Sequence, residues 1–337
     1  MKKRLFILGA GFSYHISGTI FPIMVQLVED MKNKNPKLFL YLQKKNIRTD
    51  NLERMLTELD LELQNETETT EKVLLNDCIS YMKSYLKNVL SIDKVNITQI
   101  ENAKILCSEL FNHGDTIITF NYDCLLEHIL WKILNKWTPY GGYGNFSTYV
   151  LNGNTIIKKN PQNIVILKLH GSLNFTEEKF SPESYLGIYI PKKIIMSTKN
   201  HRLDRLIAVN AKIDNAENPY IILPSYIKRF GTTRTSIKLW HEAIDVVRKS
   251  EIIIIIGYSF PTSDAMSRLL LSFLNIENGK KLKIIILNNG DKDTEHVKNQ
   301  IIEVGQFGYD HVAWKLFSHT TDNEYENLSS YLKSLVT

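Results

Sequence analysis

The chain has 337 residues, of which 43% are hydrophobic and 23% charged, an ordinary balance for a globular protein of one large or two modest domains. Its net charge of +5 admits anionic ligands without arguing for nucleic acid, and its longest apolar run, Ile252–Ile256, is far too short to cross a membrane. Three scattered cysteines, Cys78, Cys107 and Cys124, include no Cys-x-x-Cys pair, which excludes a zinc ribbon and reads as reduced thiols in the cytoplasm.

The first element is a short buried strand, Leu5–Leu8, turned sharply by Gly9-Ala10-Gly11. Lys2-Lys3-Arg4 ahead of it has the charge of a signal peptide, but the apolar run is too short and ends in the glycine turn. Strand, glycine turn and helix form the local plan of dinucleotide-binding sheets. The full G-x-G-x-x-G fingerprint is not met, because Tyr14 stands where the third glycine belongs. Tyr14–Ile20 reads as a loop over a ligand, and a helix with Ile23, Leu27 and Met31 follows Pro22 and ends at Pro36. Glu29, mid-helix beside Asp30, reads as part of a solvated face.

Residues 37–113 read as an inserted helical module. Leu52, Met55, Leu56, Leu59 and Leu63 make one apolar stripe, and Leu75, Ile79, Met82, Leu86 and Leu90 a second. Thr98–Glu101 reads as a capping box, and Gly114 as the close of the third helix. Residues 1–36 and 114–337 read together as the catalytic domain.

The sheet resumes at Thr116–Phe120, which ends in Asn121-Tyr122-Asp123 and is followed by a helix through Leu126, Ile129, Leu130 and Ile133. Tyr140–Gly144 reads as a flexible loop, and Asn152-Gly153 as the turn of a hairpin. Ile164–Leu169 is a third strand, ending in His170-Gly171-Ser172. About fifty irregular residues follow, with Lys192, Lys193, Lys199, Arg202 and Arg205, and read as a lid or variable module. Tyr220–Leu223 is a further strand, and Ile237, Trp240, Ile244 and Val247 mark a helix. Ile252–Ile256 has the uniform apolarity of a central parallel strand and ends in Gly257-Tyr258-Ser259. A helix with Met266, Leu269, Leu270 and Phe273 leads to a strand, Leu282–Leu287, that ends in Asn288. The remainder, with Val297, Ile301, Leu328 and Leu332, reads as helical. The fold class is therefore α/β, a Rossmann-like parallel sheet with helices on both faces and a helical insertion.

Apolar runs that end in Gly9, Asn121, His170, Gly257 and Asn288 would line one crevice, because ligands bind outside the carboxyl ends of parallel strands. Glycine-exposed amides and Ser13 suit a pyrophosphate, and Asn288 suits a ribose. Asn121 can orient water or a sugar hydroxyl, and Asp123 can fix Asn121 or its loop. His170 is the one side chain of the set that moves a proton near neutral pH. With no thiol or metal cluster in these motifs, the set suits cleavage at an anomeric carbon through an oxocarbenium-like state.

These residues resemble the sirtuin-like family. Gly9–Ser13 is similar to its G-A-G-x-S loop, Thr119–Asp123 to its T-x-N-x-D motif, and His170-Gly171 to its catalytic H-G pair. Gly257–Ser259 stands for its G-T-S turn, and Asn288 for its ribose-binding Asn. Two features depart from the deacylases: no zinc ribbon follows the H-G pair, and Gly18-Thr-Ile-Phe-Pro22 replaces a compact G-I-P. The form with N-Y-D, L-H-G-S and G-Y-S-F-P resembles the bacterial anti-phage branch that hydrolyses NAD to nicotinamide and ADP-ribose.

The resemblance implies that Asn121 orients the attacking water or ribose and that His170 is the general base, with Asp123 beside them. It implies that Gly9, Ala10, Gly11, Ser13, Gly257, Ser259 and Asn288 hold NAD, with no metal. It further implies control by self-assembly or by a separately encoded partner, such as a ring-forming translocase ATPase or a short argonaute complex. The alternatives are a module that senses NAD or ADP-ribose without cleaving it, and an NAD-dependent deacylase or ADP-ribosyltransferase. A nucleic-acid role for the basic stretches 192–205 and 228–248 lacks interleaved aromatic platforms.

Overall fold

The computed structural model describes residues 3–144, 163–178, 187–190, 193–196, 206–210, 219–226, 234–261, 263–274, 282–305, 312–318 and 323–335. The chain runs β1 (Arg4–Leu8), α1 (Ala10–Ile16), α2 (Met24–Lys34), α3 (Pro36–Lys44), α4 (Leu52–Asn65), α5 (Thr69–Val89), α6 (Ile97–Leu110) and β2 (Thr116–Thr119). Then come α7 (Leu125–His128), extended by a π-helical turn over Ile129–Ile133, α8 (Pro139–Gly142), β3 (Val165–Lys168), β4 (Gly171–Glu178), β5 (Gly187–Ile190), β6 (Lys193–Met196), β7 (Leu206–Asn210) and β8 (Pro219–Ile221). The last part is α9 (Arg234–Lys249), β9 (Ile252–Ile256), α10 (Ala265–Leu271), β10 (Leu282–Asn288), α11 (Gly290–Gly305), β11 (Val312–Ser318) and α12 (Glu324–Ser334).

Six strands form one parallel sheet in the order β11-β10-β9-β1-β2-β3. From β1 the chain steps one way to β2 and β3, and from β9 the other way to β10 and β11. This is the doubly wound order, with its switch point between β1 and β9. Right-handed crossovers in opposite directions place helices on opposite faces. Thus α1, α6 and α12 pack together, while α10 contacts α9 and α11. Central β1 and β9 are buried at every residue, as strands covered on both faces must be. At the amino end of β1, the guanidinium of Arg4 clasps the buried carboxylate of Asp115 and reaches the carbonyl of Leu110, 3.1 Å away. Phe6 meets Phe111 edge-on at 4.8 Å, seating the end of α6 on the sheet.

Several local readings change. Tyr14–Ile16 is not loop but the last turn of α1, and the turn comes at Gly18 and Thr19, both with positive φ. α6 is capped two residues earlier than Thr98. Asn96 accepts from the Gln99 amide while the Gln99 side chain accepts from the Asn96 amide. The helix ends at Leu110, so Gly114 belongs to the turn into β2. Tyr140–Gly144 is not a free loop at its described side chains. Tyr143 is fully buried against Trp137 and Phe175, and the Trp137 indole donates to the carbonyl of Gly142 at 3.1 Å.

Where it is described, the stretch after His170 is not irregular. β4 to β8 form a second, mixed sheet in the order β6-β5-β7-β4-β8, and the expected strand at Tyr220 joins this sheet, not the main one. Lys192, Lys199, Arg202, Arg205 and the hairpin expected at 148–158 lie outside the described residues. The last parallel strand, β11, was missed. It is an edge strand with half-exposed Trp314 and exposed Lys315, so its apolar signal is broken. The stripe on α4 turns inward. Leu52, Met55, Leu56 and Leu59 are buried in the chain's own core and are not available to a second copy.

Candidate functional site

Strand register aligns the expected site. Leu8 pairs with Ile256 on one side and Thr119 on the other, and Ile256 pairs with Leu287. The next residues, Gly9, Gly257 and Asn288, therefore form one row across the carboxyl edge. Thr119 pairs with Lys168, which puts Asn121 and His170 two positions past the last pair of adjacent strands. Neighbouring strands lie about 4.8 Å apart, so residues remote in sequence meet here.

The two glycine turns at the switch point fit into each other. A Cβ on Gly9 would lie 2.4 Å from the carbonyl oxygen of Gly257, and one on Gly257 would lie 2.4 Å from the amide nitrogen of Phe12. Gly257 also has φ +61°, which side chains rarely adopt. The amide of Gly11 donates to the carbonyl of Gly257 at 3.0 Å. That amide is thus engaged within the protein, and the glycine content answers first to backbone crossing backbone. Ala10 and Ser259 are exposed at this edge. Asn288 leans across it, its amide 3.4 Å from the Tyr258 carbonyl and its Oδ1 accepting from the Asn289 amide at 3.0 Å.

Asn121 is held from one side. Its Nδ2 donates to the carbonyl of Gly9 at 2.8 Å and to Ser13 Oγ at 2.9 Å. A carbonyl can only accept, which fixes the amide's orientation and leaves Oδ1 without a partner among the described residues. Ser13 is buried and passes its own hydrogen to Asp123 Oδ2 at 2.6 Å. Asp123 Oδ1 accepts from the Leu125 amide at 3.1 Å. Ser13 is therefore turned inward, a link between the carboxylate and Asn121, and Asp123 acts on Asn121 through it.

Behind this loop lies a buried polar network. Lys168 Nζ meets Glu127 Oε1 at 2.8 Å with both side chains almost fully buried, and it also donates to the carbonyl of Asp123. Burial is the largest single influence and opposes its charge, but the Glu127 carboxylate and its hydrogen bond, together with the further negative groups nearby, outweigh it and hold the ammonium above its ordinary range. Tyr143 donates to Glu127, Asn174 donates to Tyr143, and Ser172 donates to Asn174 at 2.6 Å. Burial pushes the adjacent Cys124 thiol up to about 12, so it stays protonated.

His170 is more enclosed than a residue in an open cleft. It is 5% exposed, with its ring 4.9 Å from that of Phe120, which stacks on Tyr258 at 4.4 Å. Its Nε2 lies 3.1 Å from Asp264 Oδ2, which also accepts from the Tyr258 hydroxyl at 2.8 Å. Burial, then the nearby Asp264 charge, keeps that phenol well above its usual range and protonated. Asp264, Phe120 and Tyr258 were not singled out from sequence. Their signal was the acid closing Gly257–Asp264, which reads equally as a helix cap, a role it also fills by accepting from the Ser267 amide at 3.3 Å. The chain itself leaves no room beside Gly171: a Cβ there would lie 2.2 Å from the carbonyl oxygen of Tyr220.

Among the described residues, no group of three or more His, Cys, Asp or Glu is placed to hold a metal, and no helix is long and apolar enough to cross a membrane.

A doubly wound sheet with this edge defines a class of nucleotide-fold proteins, and comparison narrows it. The family described as SIR2-like domain matches residues 115–304, more than half of the chain, and the chain belongs to that family. The matched span holds Asn121, Asp123, His170, Gly257, Ser259 and Asn288; the first glycine turn precedes it. Among solved structures, a Sir2 homologue in complex with NAD is 14% identical, covering 100% of this chain and 91% of its own, with a TM-score of 0.44. A mutant Sir2 homologue with 2′-O-acetyl ADP ribose is 12% identical, covering 100% and 94%, with a TM-score of 0.42. Sir2 bound to acetylated peptide is 13% identical, covering 99% and 93%, with a TM-score of 0.32. No curated protein matches the chain.

Proposed function

We propose that the chain hydrolyses NAD at the nicotinamide–ribose bond, giving nicotinamide and ADP-ribose. The observation that carries this reading is Asn121, clamped through its nitrogen with Oδ1 left to accept, one strand from His170. Oδ1 receives a hydrogen bond from the attacking water and aims its oxygen at the anomeric carbon. That oxygen bonds to the carbon as the carbon–nitrogen bond breaks. The bonding pair leaves with the pyridinium nitrogen, so nicotinamide departs neutral, and the water's proton passes to His170. The switch point between β1 and β9 is where doubly wound sheets take dinucleotides, which supports NAD as the substrate. With Gly11 and Ser13 engaged inward, Ala10 and Ser259 are the expected residues still facing outward for the pyrophosphate.

The enclosure of His170 supports a resting state that must open before turnover. A free NAD hydrolase would drain its own cell, so the activity fits abortive infection under the control of assembly or a separately encoded activator. Incubation with NAD, alone and with proteins encoded beside it, followed by product analysis, tests the reading. Equal amounts of nicotinamide and ADP-ribose are expected. NAD left intact under every condition, or consumed only with an acyl-peptide or an acceptor protein, overturns it.

A further inference from the structure

We propose that Asp264 is the positioning residue of His170, holding the hydrogen on Nε2 so that Nδ1 is the nitrogen that takes the proton. The inference rests on the hydrolytic reading above for its catalytic consequence, and on geometry for the pairing. Asp264 Oδ2 lies 3.1 Å from His170 Nε2, and the two side chains are 2% and 6% exposed. The carboxylate is itself fixed at both oxygens. Oδ1 caps α10 through the Ser267 amide, and Oδ2 accepts from the Tyr258 hydroxyl at 2.8 Å.

An ionised carboxylate has only acceptor sites, so the facing ring nitrogen must carry the hydrogen. A neutral imidazole has one hydrogen, and the lone pair then sits on Nδ1. Phe120, packed against the His170 ring and stacked on Tyr258, limits rotation that would exchange the two nitrogens. When the water's proton arrives at Nδ1, Asp264 faces the imidazolium and stabilises its charge, as the buried acid of a Ser-His-Asp triad does. Asp264 touches neither substrate nor water in this scheme. It acts through the ring.

The test pairs a spectroscopic signature with kinetics. In the ¹⁵N-labelled full chain, long-range proton–nitrogen correlation, assigned by comparison with His170→Gln, is expected to show the Nε2–H tautomer at neutral pH. Asp264→Asn, with folding checked by thermal melting, should shift that tautomer and lower kcat for NAD by about 10²-fold or more, leaving KM within a few-fold. An Nδ1–H tautomer in the unmodified protein overturns the pairing without recourse to any variant. A folded Asp264→Asn with kcat unchanged, or with a raised KM alone, overturns the positioning role. If the unmodified, activated protein leaves NAD intact, the hydrolytic reading fails, and the tautomer measurement still decides the pairing.

Discussion

Asn121 Nδ2 donates to the carbonyl oxygen of Gly9 at 2.8 Å, binding the end of β2 to the turn that follows β1. The bond joins residues more than a hundred positions apart and leaves the remaining oxygen of the amide without a partner among the described residues. Asn121→Ala removes that acceptor and should cost about 10²-fold in turnover, the scale of misplacing a reacting group. Asn121→Asp tests orientation. A carboxylate cannot donate to Gly9 or Ser13, so it should lose turnover as well and melt at lower temperature. NAD cleavage rates beside thermal melts separate the two effects. Near-normal cleavage by both variants would show that Asn121 does not orient the nucleophile.

Ser13 lies between two roles that kinetics distinguishes. Its hydroxyl joins Asp123 to Asn121, so Ser13→Ala leaves a buried carboxylate oxygen short of a donor, at about 1–3 kcal/mol of stability. Acting through Asn121, the change should lower kcat. A side chain that gripped pyrophosphate would raise KM instead. Urea unfolding together with kcat and KM on one preparation decides between them.

The edge of the main sheet was legible because its strands are short, apolar and closed by Gly, Asn or His. β1, β2, β3, β9 and β10 all stand where their residues placed them, and register then aligned the ends. What escaped the sequence depends on partners far along the chain. Ser13 reads as a phosphate ligand until Asp123 is seen 2.6 Å away. Asp264 carries no local signal specific to a site, and its role emerges only with His170 found opposite it. β11 has the half-exposed pattern of an edge strand, and the strands after His170 interleave across a sheet whose order no local pattern encodes.

Gly257 offers a test of close approach against backbone preference. Gly257→Ala must place a Cβ 2.4 Å from the Phe12 amide while holding φ near +61°, so backbone has to move. Gly290→Ala meets only the second demand, at φ +81° with nothing within 4 Å of the added carbon. The Gly290 variant should lose about 1–2 kcal/mol, the usual left-handed penalty. The Gly257 variant should lose clearly more and reduce NAD cleavage, because Gly9 and Asn121 shift with it. Equal losses in denaturant midpoint would show that the turns do not constrain each other.

The helical layer should respond to acid through Lys45. Its ammonium lies 2.9 Å from Glu71 and 3.3 Å from Glu66, bridging the end of α3 to α5 and to the residue after α4. Lys45, then Tyr41, holds Glu71 below its ordinary carboxylate range; the amides of Glu68 and Thr67, then Lys45, do the same for Glu66. A carboxyl group depressed in the folded state contributes stability above its unfolded pKa. It loses that contribution as pH falls through the folded value. Lys45→Met should therefore be less stable than the unmodified chain at neutral pH, with the gap closing as pH drops below about 4.5, the ordinary glutamate range. Thermal melts of both proteins across that range check the sign. A gap that widens in acid would contradict it.

The Lys168–Glu127 pair stands beneath the loop that carries Asn121, and its removal should be felt there. Lys168→Met strands a buried carboxylate and withdraws the donor from the Asp123 carbonyl, for which about 3–5 kcal/mol is the usual scale. Lys168→Met with Glu127→Leu removes both charges and keeps apolar volume, so it should recover much of that loss. Recovery should be incomplete, because Tyr143 then loses its acceptor and the Asp123 carbonyl still lacks its donor. A double-mutant cycle from urea midpoints measures the coupling. If the pair only fills the core, the double variant should also regain NAD cleavage. If the ammonium's bond to Asp123 sets the loop, stability returns and cleavage stays low, because Asn121 is no longer held against Gly9.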